Sequence, residues 1–208
     1  MSYSENHNKL LRGKTAIVTG AGHGAGASMA LALAQAGARV CASDVNPDRA
    51  KHIADQIVAA GGEAFPFQAD VSNKFQVAAL IETTRDHYTT LDILAHHAHI
   101  NPVEPFLKMD EWEWRRTIDV NLTGTFFCLQ LCSRVMVDEG GGIIVIPLYD
   151  LEHMGEGQSA FAATQLGVIG CVGVLEMELA GTSVFIETIP LVGPEDTARH
   201  LMTLCTPQ

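Results

Sequence analysis

An apolar pattern that switches repeatedly between short runs and longer stretches of helical period constrains this chain more than any other feature. It is the pattern of β and α units alternating into a parallel sheet. Strands are predicted near Thr15–Thr19, Arg39–Asp44, Glu63–Gln68, Leu91–Ala95, Gly142–Pro147 and Ser183–Ile189, with helices filling the intervals. The helix after Met109 opens with Asp110 and has Glu113 three residues on, the spacing of an N-cap and its reciprocal partner. No repeat or low-complexity linker interrupts the alternation, and 208 residues are a normal size for one domain, so residues 1–208 are read as a single α/β domain with a doubly wound parallel sheet of about six strands.

Composition narrows the function classes. Hydrophobic residues at 47% and charged residues at 18% describe a compact protein. No segment reaches the ~18 uninterrupted apolar residues of a membrane span, so no membrane partner is expected. The polar start, Met1–Lys9, lacks the apolar core of a secretory signal, and a cytoplasmic location is the expectation. A formal charge of −11 without clustered Lys and Arg argues against a nucleic-acid partner. Cys41, Cys128, Cys132, Cys171 and Cys205 are odd in number, form no C-x-x-C and sit in apolar segments, which reads as buried thiols in a reducing compartment. Gly167, Gly170 and Gly173 recur every three residues along the predicted helix from Gly157 to Leu179. Each costs about 1 kcal/mol relative to Ala, so the stripe predicts close packing, against either the same chain or a second subunit.

Thr19-Gly20-Ala21-Gly22-His23-Gly24-Ala25-Gly26 follows the first strand and opens the first helix. Glycines there let the backbone approach a pyrophosphate at the positive end of the helix; the alternative is a tight strand-to-helix connection. Asp44 ends the second strand, 18 residues beyond Gly26, where an acidic side chain accepts hydrogen bonds from the hydroxyls of an adenosine ribose. A carboxylate there favours NAD(H) over NADP(H), whose 2′-phosphate it repels. Its other reading is a cap for the helix after Pro47.

T-G-x-x-x-G-x-G as Thr19 to Gly26, Asp70-Val71 after the third strand, Asn121 in Asp119-Val120-Asn121, and the Rossmann-type sheet pattern together resemble a short-chain dehydrogenase/reductase of the oxoacyl-carrier-protein-reductase-like branch, from about Leu11 to about Gly193. The resemblance implies nucleotide contacts from Gly20, Gly24, Gly26 and Asp44, with Asp70 on the adenine amino group and Val71 against the ring. It also implies a catalytic tetrad of Asn, Ser, Tyr and Lys, and of these only Asn121 is recognisable. The Y-x-x-x-K motif aligns with Phe161-Ala162-Ala163-Thr164-Gln165, and the serine position, thirteen residues before Phe161, is Leu148. Phe161 has no proton to give, Gln165 has no charge and Leu148 cannot hydrogen-bond an oxyanion. Acid–base assistance from one group is typically worth 10²–10⁴-fold, so the family's reduction is not expected at a useful rate. Without a lysine, Asn121 is read as satisfying backbone groups at an irregularity in its helix.

The family's N-N-A-G becomes His96-His97-Ala98-His99. The resemblance puts the last of these positions where backbone comes close to the cofactor, so a side chain at His99 bears on occupancy. His96, His97 and His99 are read as loop histidines that fill space or hydrogen-bond locally, with an alternative reading as ligands for Zn²⁺ or a similar metal, His97 and His99 being on one face if the strand continues. Tyr149, beside the lost serine, is followed by Asp150, Glu152 and His153 in a loop at the carboxyl end of the fifth strand; a Tyr149–His153 pair is a candidate proton-transfer site, a solvated loop its alternative. After Gly193-Pro194 only Glu195–Gln208 follow, enough for one short helix, where the resemblance implies a substrate-binding helix and a seventh strand. The first reading is a pseudoenzyme: an NAD(H)-binding partner or regulatory subunit, a homo-oligomer or a hetero-oligomer with an active relative, joined through helices around 110–137 and 157–179. The alternatives are an NAD-dependent oxidoreductase with a rebuilt site at Tyr149 and His153 or at His96–His99, and a structural protein with a blocked cleft.

Overall fold

A computed structural model describes residues 10–205; the predicted absence of a signal in Met1–Lys9 concerns residues outside that span. The alternation resolves into β1 (Thr15–Thr19), α1 (Gly24–Gln35), β2 (Arg39–Asp44), α2 (Pro47–Ala59), β3 (Glu63–Gln68), α3 (Lys74–Tyr88), β4 (Ile93–His96), α4 (Glu111–Ile118), α5 (Gly124–Asp138), β5 (Gly142–Leu148), α6 (Ser159–Leu179), β6 (Val184–Pro190) and α7 (Pro194–Cys205). The six strands form one sheet in the order β3-β2-β1-β4-β5-β6, and every neighbouring pair is parallel.

Successive side chains of a strand point to opposite faces, and the core divides accordingly. Ile17, Cys41, Leu94 and Ile144 enter one layer with α3, α5 and α6. Ala16, Val18, Val40, Ala42, Ile93 and Val145 enter the other with α1, α2 and α7. Burial on both faces explains why these strands read as continuous apolar runs rather than as alternation.

Several boundaries move by one or two residues. β4 starts two residues later than predicted because the Leu91 amide donates to Glu139 Oε2 at 2.8 Å instead of to the sheet. β6 is displaced by one residue. The helix predicted from Gly157 begins at Ser159, since Gly157 has φ +81°, outside helical geometry. The glycine stripe divides too. A Cβ on Gly167 would lie 2.9 Å from Leu122 Cδ1, but one on Gly170 or Gly173 would meet nothing within 4 Å, so the chain itself supplies the expected close packing only at Gly167.

α4 and α5 are continuous through a π turn at Asp119–Thr123, the helix irregularity expected around Asn121. By length and composition this long helix and α6 would each be apolar enough to cross a membrane, which a search for uninterrupted apolar runs misses. Both instead lay apolar faces on the sheet, as core helices of an α/β domain do. Cys41, Cys128 and Cys132 are buried, whereas Cys171 and Cys205 are only half-buried, so the expectation of five buried thiols is corrected to three.

Candidate functional site

The strand order reverses its direction of growth between β1 and β4, and a doubly wound sheet opens its binding crevice there, at the carboxyl ends of the strands. The β1–α1 turn forms one wall. Gly20 has φ +62°, and a Cβ on it would lie 2.9 Å from Ala98 Cα; a Cβ on Gly26 would run into the Gly20 carbonyl oxygen. Both positions therefore require glycine because another piece of backbone occupies the space. Gly24 opens α1 at φ +55°. His23, the N-cap, makes no side-chain bond to the first turn and no acidic residue sits there, so those amides and the helix dipole face the crevice without a protein anion.

Asp44 is buried at the end of β2, its Oδ2 accepting from Gly22 N–H at 2.9 Å and its Oδ1 from Asn46 N–H at 2.9 Å. It does not cap the following helix. Asn46 does, accepting from the amides of Asp48 and Arg49 at 3.0 and 3.1 Å, which corrects the capping alternative for Asp44. Asp70 accepts from the Ser72 amide at 2.9 Å and hydroxyl at 2.7 Å, and Arg116 of α4 reaches it at 3.3 Å. Burial pushes its carboxyl up, but the two Ser72 bonds and the Arg116 guanidinium outweigh burial and hold it below the ordinary carboxylate value. Val71 is buried against the start of α5, where a Cβ on Gly124 would lie 2.8 Å from Val71 Cγ2. These groups line a cleft of about 210 Å³ that runs from Gly20, Asp44 and Asp70 to His97, His99 and Ile100.

Of the three histidines, His96 is pinned by two threonines. Its Nδ1 lies 2.8 Å from Thr19 Oγ1 and its Nε2 lies 2.9 Å from Thr125 Oγ1. Thr125 gives its single proton to the Asn121 carbonyl at 2.6 Å, so it must accept from His96 Nε2–H, and Thr19 then donates to Nδ1. The imidazole is neutral, with burial pushing its pKa down to about 4. Both ring nitrogens are thereby used, and no group of three His, Cys, Asp or Glu among the described residues is placed to hold a metal ion. His97 is also buried and neutral, its pKa pushed down to about 3 by burial, and its Nδ1 has no hydrogen-bond partner. His99 donates Nδ1–H to the His97 carbonyl at 2.9 Å and stands edge-on to the His97 ring, 4.7 Å between centroids. β4 ends at His96, so His97 and His99 meet through this turn and not along a strand face.

Beyond His99 lie the positions where the resemblance implies chemistry. Phe161 is 1% exposed, with the His99 ring 5.6 Å and the Tyr149 ring 5.2 Å from its own. Gln165 is buried and accepts the Tyr149 amide at 3.1 Å, and the half-buried Leu148 packs against the core. The Asn121 carboxamide clamps the backbone of Ile100, Oδ1 accepting its N–H and Nδ2 donating to its C=O, both at 2.8 Å. The backbone groups it satisfies thus belong to the loop after β4 and not to its own irregular helix, a correction to the sequence reading. Tyr149 meets His99, with centroids 5.9 Å apart, whereas His153 turns to Asp150 at 3.1 Å on the exposed surface. The candidate Tyr149–His153 pair is therefore replaced by Tyr149–His99.

A family model for short-chain dehydrogenases matches residues 14–198. The chain belongs to this family. A 3-oxoacyl-[acyl-carrier-protein] reductase of Synechocystis sp. is 35% identical over 181 residues, covering 86% of this chain and 73% of the relative. A short-chain dehydrogenase/reductase from Mycobacterium marinum superposes with a TM-score of 0.90 at 27% identity, over 96% of this chain and 90% of that one. A 7α-hydroxysteroid dehydrogenase solved with NADH and a 7-oxo bile acid gives 0.89 at 27% identity, over 96% and 90%. The branch expected from the sequence is that of the reductase, and the fold is that of the two solved structures.

Several residues of the site escaped the sequence reading. Arg116 lines the cleft and bridges Asp70 to Ser72, and Thr19 and Thr125 fix His96. Only Ser72, two residues beyond Asp70, carries a local turn signal; the other partners come from elements far apart in sequence. Chemically, the cleft offers carboxyl oxygens at Asp44 and Asp70, has the uncapped start of α1 beside it, and has neutral imidazoles at its far end.

Proposed function

We propose that this member of the short-chain dehydrogenase family is a nucleotide-binding partner or regulatory subunit in the cytoplasm that does not run the family's carbonyl–alcohol reaction. The observation behind this reading is the structural use of the degenerate positions. Phe161 is a core ring with no proton, Gln165 spends its carbonyl oxygen on the Tyr149 amide, and Leu148 is an apolar side chain packed against the core. The polarising hydroxyl, the acid and its tuning cation are all missing from those positions, which removes the assistance on which the family's reaction depends. At the nucleotide end Asp44 supports a ribose with free hydroxyls, the NAD(H) type over the NADP(H) type. α5 and α6 leave a largely apolar groove of about 830 Å³ between them, lined by Phe126, Val137, Gly170, Cys171 and Val174, and a Cβ on Gly170 or Gly173 would meet nothing within 4 Å. That surface fits another copy or an active relative, through the helices expected from the sequence.

The test is turnover of alcohol and carbonyl panels with NAD(H). The expected result is none above buffer. Sustained turnover that is lost in Tyr149→Phe would replace this reading with an oxidoreductase rebuilt around Tyr149 and His99.

A further inference from the structure

We infer that the cleft takes an adenosine nucleotide of the ADP class and excludes the nicotinamide arm of a dinucleotide, because the His99 ring partitions the crevice. The inference rests on the proposed function only in treating the cleft as a nucleotide site, and it narrows the ligand to one half of NAD(H).

Size is the first ground. Pockets for drug-sized ligands enclose roughly 300–1,000 Å³, whereas this cleft holds about 210 Å³. A dinucleotide has a second nucleoside to place beyond what ADP needs, so the small space counts more heavily against it. The second ground is where the cleft stops. Its lining ends at His97, His99 and Ile100 and contains none of Leu148, Tyr149, Phe161 or Gln165. His99 lines the cleft on one side and packs against Phe161 and Tyr149 on the other, with centroids 5.6 and 5.9 Å away. Its Nδ1–H bond to the His97 carbonyl at 2.9 Å and the His97 ring 4.7 Å away hold it in that position. The third ground is donor–acceptor match. Each Asp44 oxygen takes one amide and retains capacity for a ribose hydroxyl, while Asp70 is an ionised acceptor suited to an exocyclic amino group. Phosphate has the unopposed first turn of α1. The His97 ring also lines the cleft beside His99.

The fit therefore fails for the dinucleotide as a whole. Calorimetric titration of the full chain with ADP and with NAD⁺ decides it. ADP should bind at least tenfold more tightly than NAD⁺, and His99→Gly should tighten NAD⁺ and narrow that ratio by tenfold or more. NAD⁺ binding the wild type as tightly as ADP would overturn the inference, and so would an H99G variant whose NAD⁺ affinity does not move. If H99G does not fold, the wild-type ratio decides alone. No binding of either nucleotide would remove this inference together with the nucleotide part of the proposed function. NAD⁺ preference without turnover would remove only the inference, and turnover in the earlier assay would remove the proposed function itself.

Discussion

At the nucleotide end, Asp44 and Asp70 each hold a turn together and still face the cleft with unfilled acceptor capacity. At the chemical end, Asn121 uses both ends of its carboxamide on Ile100, Gln165 uses its oxygen on Tyr149, and Phe161 and Leu148 offer no polar atom. The same crevice thus keeps polar groups in reserve at one end and consumes them in its own framework at the other. A ligand site needs such reserve, because a group already satisfied by the protein gains little from a ligand. The contrast separates binding from chemistry, and it can be broken at either end.

The largest expected effect comes from pH, acting at His96 where the two ends join. His96 has its folded pKa pushed from 6.5 down to about 4 by burial, and His97 shifts the same way, to about 3. A depressed imidazole leaves the unfolded chain holding more protons, so its stability contribution is complete above pH 6.5 and is lost as pH falls toward the folded values. His96 alone should contribute on the order of 3 kcal/mol across that window. Urea titrations at pH 7, 5.5 and 4.5 should show the decline, and His96→Asn should remove its share while leaving that of His97. Equal stability at all three would mean that the imidazoles are not held neutral.

Asn121→Ala comes next, at about 2–3 kcal/mol, because it leaves the Ile100 N–H and C=O without their clamp. A shift of the urea midpoint at constant slope measures it. A neutral substitution would show that Asn121 is not spent on structure and would reopen a catalytic role. Gly26→Ala probes the opposite end: its methyl must displace the Gly20 carbonyl, at about 2 kcal/mol, and nucleotide affinity should fall with stability. A G26A protein that binds ADP as well as the wild type would detach the glycine turn from the ligand.

The fold and the glycine turn at its crevice were legible because their signals are local. Strand and helix follow from the apolar period, and Gly20, Gly24, Gly26 and Asp44 follow from their place after a strand. What His96 does was not legible. Its partners Thr19 and Thr125 lie 77 and 29 residues away and meet it only because β1 and β4 pair Thr19 with His96. Periodicity identifies a strand but not the side chain opposite. The Tyr149–His153 pair erred for a related reason: closeness in sequence favoured His153, while the turn after β4 delivers His99 to Tyr149. The glycine stripe gave the spacing but not the neighbour, since only Gly167 meets a side chain of this chain.

The smallest expected effect is the most discriminating. Phe161→Tyr returns the hydroxyl that the family resemblance places there, and in a site lacking only that atom it would restore turnover. Here the ring is 1% exposed between His99 and Tyr149, and Gln165, which replaces the tuning cation, already bonds the Tyr149 amide. A new hydroxyl in those surroundings should cost about 1 kcal/mol and produce no turnover, because the polarising group at Leu148 and the charge at Gln165 remain absent. Each missing assistance is worth about 10²–10⁴-fold. The measurement is a thermal melt beside an NAD(H) assay on F161Y and on the L148S/F161Y/Q165K triple variant. Turnover in F161Y alone would erase the distinction between the two ends. Turnover only in the triple variant would keep the distinction and show that the chemical end was converted by side chains alone, with the backbone still set for the reaction and His99 unable to exclude the nicotinamide.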